Sequence, residues 1–312
     1  MNAALASVSA VSVSSRPALA SLARIEMVRY ARHPVFLVGF VFALASSGTY
    51  GPTELDHQVV PAFFLGVLGL VVAARLTVAT EGASAVVDAA PVSETVRTAA
   101  LCLACLVPAG AGAVVVLVHR AFVAADPQPA FLYAGYGTAD RALITLVIPV
   151  IASAGGPLLG VVAGRWLRFR GGILLALLVL LLWSRFGATR PMYIGVDSVT
   201  ARALHMLSPY TAFLETNTDG SAPPTLVTAY PASPFWFMVW TVALCGLATT
   251  AALWHGARRS ARSPVRRTVG GAFVACLVVA VAAVVLAVAA GPEQLTYWTP
   301  DGTSSTVRPA HV

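Results

Sequence analysis

Four cysteines, six histidines and thirteen acids are the side chains with which this 312-residue chain could bind a metal or carry acid–base and nucleophilic chemistry. Cys102 and Cys105 have CxxC spacing, but a second ligand pair, a flanking histidine and a thiolate-stabilising charge are missing. Together with Cys245 and Cys276 they read as small apolar helix residues, and no disulfide framework is implied. His205, near Tyr210, has no second ligand at i+4, so a packing or surface role is expected rather than metal binding. No GxSxG nucleophile motif occurs. All twenty basic residues are arginine. Without lysine the chain cannot build a phosphate loop GxxxxGK[ST] or a Schiff base, so any ATP it depends on must be hydrolysed by another chain. No catalytic, metal or cofactor residue is therefore expected here.

The elements that must position these residues are apolar. The chain is 58% hydrophobic and 11% charged, whereas about a quarter of the residues of a soluble globule are charged. Seven apolar stretches, at about 34–50, 59–75, 98–118, 142–164, 171–185, 235–255 and 269–290, alternate with short connections. The expected fold is an all-α polytopic membrane protein of about seven transmembrane helices with an N-terminal interfacial helix. With the N-terminus in the cytoplasm, fourteen arginines and four acids (Glu26, Glu81, Asp88 and Glu94) fall inside, against six arginines and nine acids outside. This positive-inside bias sets the expected orientation in the cytoplasmic membrane, with the C-terminus outside. The positive net charge is thus accounted for by lipid headgroups, and no basic stripe with interleaved aromatics suggests nucleic acid.

The organisation that follows is a mobile tail at 1–16, an interfacial elbow helix at 17–33, a six-span core at 34–255, an extra seventh span at 269–290 and an external tail at 291–312. Within the core, 76–97 is an inner loop and 186–234 is the sizeable outer segment. Gly156, Gly160 and Gly164 recur every fourth residue of the fourth span and form a small-residue face for close helix packing, within the chain or at a subunit interface. Pro149 and Pro157 in the same span remove backbone donors and could kink it. No carboxylate lies at mid-span, which argues against a proton-coupled carrier.

The loop 76–97, LTVATEGASAVVDAAPVSETVR, differs from the other inner loops in carrying several acids, and Pro91 ends a short potential helix from about Thr80 to Ala90. A short helix held below the bilayer is a suitable handle for a soluble partner. Glu81, Asp88, Pro91 and Arg97 are the candidate docking residues, Arg97 being an alternative headgroup anchor for the third span.

The stretches LARIEMVRYARHPVFLVGF, TEGASAVVDAAPVSETVRTAALCLA, GGPLLGVVAGRWL and HMLSPY resemble the permease subunits of ABC-2 type transporters, particularly the actinobacterial type. The arginine, alanine and valine usage also suggests a GC-rich bacterial genome. The resemblance covers most of 17–255 through loose patterns, and the seventh span departs from the simplest family pattern. It implies a six-span permease core, an elbow helix before it, and a coupling helix after the second span docked on a separate ATPase subunit. It also implies a homodimer or heterodimer of permeases, and export or lipid handling, with an apolar translocation surface pointing to amphiphiles. Two other readings stand beside it. One is a membrane-embedded acyl or glycosyl transferase, which would gather carboxylates or histidines at one membrane face. The outer acids Glu54, Asp56, Asp126, Asp140, Asp197, Glu215 and Asp219 are scattered instead. The other is a non-transporting anchor or assembly protein.

Overall fold

The computed structural model describes residues 15–49, 62–82, 92–125, 137–167, 169–194, 206–208, 214–217, 226–229, 233–258, 264–290, 295–298 and 304–307. Its helices are α1 (Ser15–Ala31), α2 (Pro34–Thr49), α3 (Leu68–Gly82), α4 (Glu94–Ala104), α5 (Leu106–Ala125), α6 (Thr138–Ala142), α7 (Ile148–Trp166), α8 (Gly172–Ile194), α9 (Pro234–Arg258) and α10 (Pro264–Ala289). Over its described residues, each of the seven apolar stretches lies largely on helix. Among the described residues, five helical segments are long and apolar enough to cross a membrane, and a sixth is obtained if α1 and α2, bent by 63° from each other, count as one span. Within α8, Gly172–Ser184 forms a shorter apolar stretch. The chain is thus a bundle of long apolar helices, an architecture compatible with a polytopic membrane protein.

Which way the apolar side chains face supports that reading. On α10, Val274, Val278, Val281 and Val285 are 57–61% exposed, while Ala280, Ala283 and Ala287 are at most 5% exposed. In water large apolar side chains would be buried in preference to alanine. A helix that packs its small residues against its neighbour and turns its valines outward suits hydrocarbon, where close backbone approach drives association. Leu174, Leu178 and Leu182 of α8 and Val38, Val41 and Phe42 of α2 are exposed in the same way.

Two π-helical turns precede spans, at Ala62–Val67 before α3 and at Leu143–Val147 before α7. The second has a cause in the sequence. Pro149 cannot donate to a carbonyl one turn earlier, and the Ile148 amide donates to the Leu143 carbonyl, five residues back. At the bend between α1 and α2, Pro34 takes the first helical position, where no donor is needed. The His33 carbonyl accepts from the Leu37 amide at 3.1 Å, and His33 Nδ1 accepts from the Val35 amide at 3.3 Å. Tyr30 anchors α1 on the bundle, donating its hydroxyl to the Gly69 carbonyl at 3.2 Å and meeting Phe36 edge-on at 5.3 Å.

A four-stranded antiparallel sheet, in the order β1 (Leu214–Asn217), β2 (Leu226–Ala229), β3 (Leu295–Trp298), β4 (Ser304–Val307), lies at the end of the bundle where α8 finishes, α9 starts and α10 finishes. It departs from an all-helical chain. β2 pairs with β3 through Val227↔Trp298, Thr228↔Tyr297 and Ala229↔Thr296, so strands before α9 and strands after α10 form one sheet. Four-residue strands are too short for a period-two pattern to declare itself in the sequence. Met206, 2% exposed, and Ser208, which donates to the Ser184 carbonyl at 3.3 Å, seat another part of the outer segment in the bundle. His205 and Tyr210 lie outside the described residues. The expected mobile tail also lies outside them, apart from Ser15 and Arg16, which open α1.

Candidate functional site at the charged end of the bundle

At the end opposite the sheet, α4 begins and α7 and α9 finish, and each contributes a polar side chain to one cluster. α4 starts where it does because the Ser93 hydroxyl accepts from the Val96 amide at 3.4 Å, an N-cap. That places Glu94 in the first turn, where its charge suits the positive end of the helix dipole. Arg165 lies in the last turn of α7, where a cation suits the negative end. Its Nη1 approaches Glu94 Oε1 at 3.4 Å, although 71 residues separate the two in sequence. His255 Nδ1, near the end of α9, is 3.4 Å from the same Glu94 oxygen.

The cluster is shielded from solvent: the side chain of Arg165 is 3% exposed, that of His255 16% and that of Glu94 20%. A cation this deeply placed is tolerated only with an anionic or polar partner, because desolvation otherwise dominates. Trp166 completes the junction, donating Nε1–H to the Ala251 carbonyl at 3.1 Å and meeting the His255 ring edge-on at 5.5 Å. The arrangement joins the ends of three helices through charge and hydrogen bonding, and when His255 is protonated it adds a second cation beside Glu94. Among the described residues, no three His, Cys, Asp or Glu side chains stand close enough to hold a metal ion.

This cluster is where the loop 76–97 rejoins the bundle. Glu81 falls in the last turn of α3, and its side chain lies outside the described ones. Asp88, Pro91 and most of the potential helix from Thr80 to Ala90 lie outside the described residues, as does the linkage between Gly82 and Val92. Arg97 is described: its Nε and Nη2 donate to the Val92 carbonyl at 3.1 and 2.7 Å, closing the loop's C-terminal end onto α4. On α1, which packs against α4, Arg29 pairs with Glu26 at 2.8 Å.

Gly156, Gly160 and Gly164 of α7 are buried against α3 and its π turn. A Cβ at Gly156 would overlap the Gly66 carbonyl, one at Gly160 would overlap the Leu70 carbonyl, and one at Gly164 would come within 2.7 Å of Thr77 Cβ. The stripe is occupied by a helix of the same chain. Of the two partners open to it in sequence, the structure supplies the intramolecular one.

Glu94, Arg165 and His255 were not singled out from the sequence as a group. The available signals were local: Glu94 follows a capping serine, and Arg165 follows the last glycine of the stripe. Nothing in the linear chain ties either to His255. No protein-family model, no curated protein and no solved structure matches the chain.

Proposed function

We propose that the chain is the transmembrane subunit of an ATP-driven exporter of the ABC-2 type, working as a dimer in the cytoplasmic membrane and powered by a separate ATPase. The charged end of the bundle is then cytoplasmic and the sheet lies outside. The observation that carries this reading is the anchoring of loop 76–97: its first residues are the end of α3, and its last are locked by Arg97 and by the Glu94–Arg165–His255 cluster to α7 and α9. Force arriving at the loop's C-terminal end reaches α4, α7 and α9 through that cluster, as a coupling element requires. The lack of lysine supports the reading, since the nucleotide site must then lie elsewhere. The sequence resemblance supplies the transporter class.

The test is recovery of a P-loop ATPase with the purified chain, followed by reversal of Glu81 and Asp88 together to arginine. The reversed chain should insert normally, recover less ATPase and lose stimulated hydrolysis. Unchanged recovery and hydrolysis would remove the loop as the coupling element, and absence of any associated ATPase would sink the transporter reading.

A membrane-embedded transferase is the second reading, and one observation favours it: the structure does gather a carboxylate and a histidine, Glu94 and His255, at one membrane face. Arg165 holds that carboxylate in a shielded junction between helix ends, a setting better suited to fastening than to proton transfer with a substrate. Group transfer to lipid that proceeds without ATP and is lost in His255→Gln would decide for the enzyme.

A further inference from the structure

Between α7, α8, α9 and α10 lies a cavity of about 290 Å³. It exists because α8 packs on α7 and α3 while α9 packs on α7 and α10, leaving a gap bridged by Trp183 of α8 set edge-on to Trp240 of α9 at 6.4 Å. Among the described residues its lining carries no charge. Thr241 contributes the one hydroxyl among those lining residues, and it donates back to the Phe237 and Met238 carbonyls of its own helix at 3.1 and 2.8 Å. Cys245 Sγ is directed to the Ile151 carbonyl at 3.9 Å. A water needs two to four polar partners to reside in a cavity, and a polar solute transferred into such a lining would lose its hydrogen bonds uncompensated.

The cavity is open at its side. Leu277 of α10 lines it and is nevertheless 45% exposed, on the helix that carries the outward valines Val274, Val278 and Val281. Its mouth is therefore continuous with the apolar belt of the bundle, and what reaches it is hydrocarbon. Phe273, one turn earlier on α10, forms the far wall, so the seventh span completes the enclosure.

We propose that this crevice is a binding site for one acyl chain of a membrane phospholipid, which enters sideways from the bilayer and lies against Trp183. The site gives the seventh span a structural purpose, since without α10 the wall at Phe273 and Leu277 is absent. The proposal does not rest on the transport reading: absence of an ATPase leaves it intact, and an empty crevice leaves the transport reading intact.

Gly155 provides the means of testing it. A Cβ there would meet Cys245 Sγ at an ordinary 3.7 Å, so a larger side chain has room to grow into the cavity. The full chain is reconstituted in phosphatidylcholine vesicles with one acyl chain brominated at mid-length, and tryptophan fluorescence is compared for the parent, Trp183→Phe and Gly155→Leu. The component that Trp183→Phe removes should be quenched in the parent and recover in Gly155→Leu, because the filled crevice excludes the brominated chain. In detergent, native mass spectrometry should find one phospholipid retained per parent chain and none on Gly155→Leu. Should Gly155→Leu be poorly folded, Ala152→Leu on the same wall serves in its place. Equal quenching of Trp183 in the parent and a folded filled variant, or no quenching in the parent, would overturn the proposal.

Discussion

Gly160 shows how one missing side chain sets a contact. Its α-carbon lies where any Cβ would enter the backbone of Leu70, so Gly160→Leu must push α7 away from α3. Overpacking of this kind costs roughly 1–3 kcal/mol, and the variant should show a clearly lowered thermal midpoint in detergent. Gly110→Ala, at a position with nothing within 4 Å, should leave that midpoint unchanged or raise it. Equal midpoints for the two would mean that α3 and α7 are not in close contact. Glu94 and Arg165 offer a second comparison. Because their contact is largely shielded, the effects of Glu94→Gln and Arg165→Met on reversible unfolding in bicelles should be non-additive by roughly 0.5–3 kcal/mol. Strict additivity would show that the pair contributes nothing. His33 contributes one pH-dependent element of stability. Burial, with the nearby Arg75 charge second, holds its imidazole below the ordinary 6.5. Its neutral Nδ1 accepts from the Val35 amide, so the folded chain favours the unprotonated form. The sign follows: the contribution is fully present above pH 6.5 and is lost as pH falls through the lowered folded value. An NMR titration of His33 should give a midpoint below 6.5, and His33→Asn, which keeps a capping acceptor without a titrating group, should flatten the acid-side loss of stability.

At the level of elements, the pairing of β2 with β3 ties the chain after α10 to the chain before α9. Residues directly opposite in an antiparallel pair have α-carbons about 4.5–5.5 Å apart, within the span that a disulfide bridges. Thr228→Cys with Tyr297→Cys, which are register partners, should therefore cross-link within one chain under mild oxidation. Thr228→Cys with Ser305→Cys should not, because Ser305 lies one strand further away, opposite Tyr297. Cross-linking of the second pair in preference to the first would show a different strand order. The same pairing restrains α10 from its far end, while the Ser233 amide donates to the Ala287 carbonyl at 3.1 Å and fastens the start of α9 to the end of α10.

For the molecule as a whole, the alternation of helix directions places Glu94, Arg165 and His255 at one end and all four strands at the other. With the arginine-rich end cytoplasmic, alkaline phosphatase fused after Val312 should be active, and the same fusion after Arg262 should be inactive. The reverse pattern would invert the orientation and place loop 76–97 beyond the reach of any cytoplasmic ATPase.

The helical segments were legible in the sequence because a membrane span is a local property: enough consecutive apolar residues satisfy their own backbone hydrogen bonds and require no distant partner. Residues 235–255 and 269–290 were visible in this way and became α9 and α10, extended by a few residues at one or both ends. The glycine stripe on α7 was equally visible, since its four-residue spacing is fixed by helix geometry. What faces it was not, because a small-residue face accepts any helix that can approach closely, and only the tertiary structure selected α3. The sheet needs residues some seventy positions apart to meet, and its four-residue strands carry too little pattern to announce themselves. The cluster of Glu94, Arg165 and His255 is a matter of where three helices end relative to one another. Composition and periodicity determine which segments are helical, while the distances between helix ends are set by packing, and the charged junction and the apolar crevice both depend on those distances.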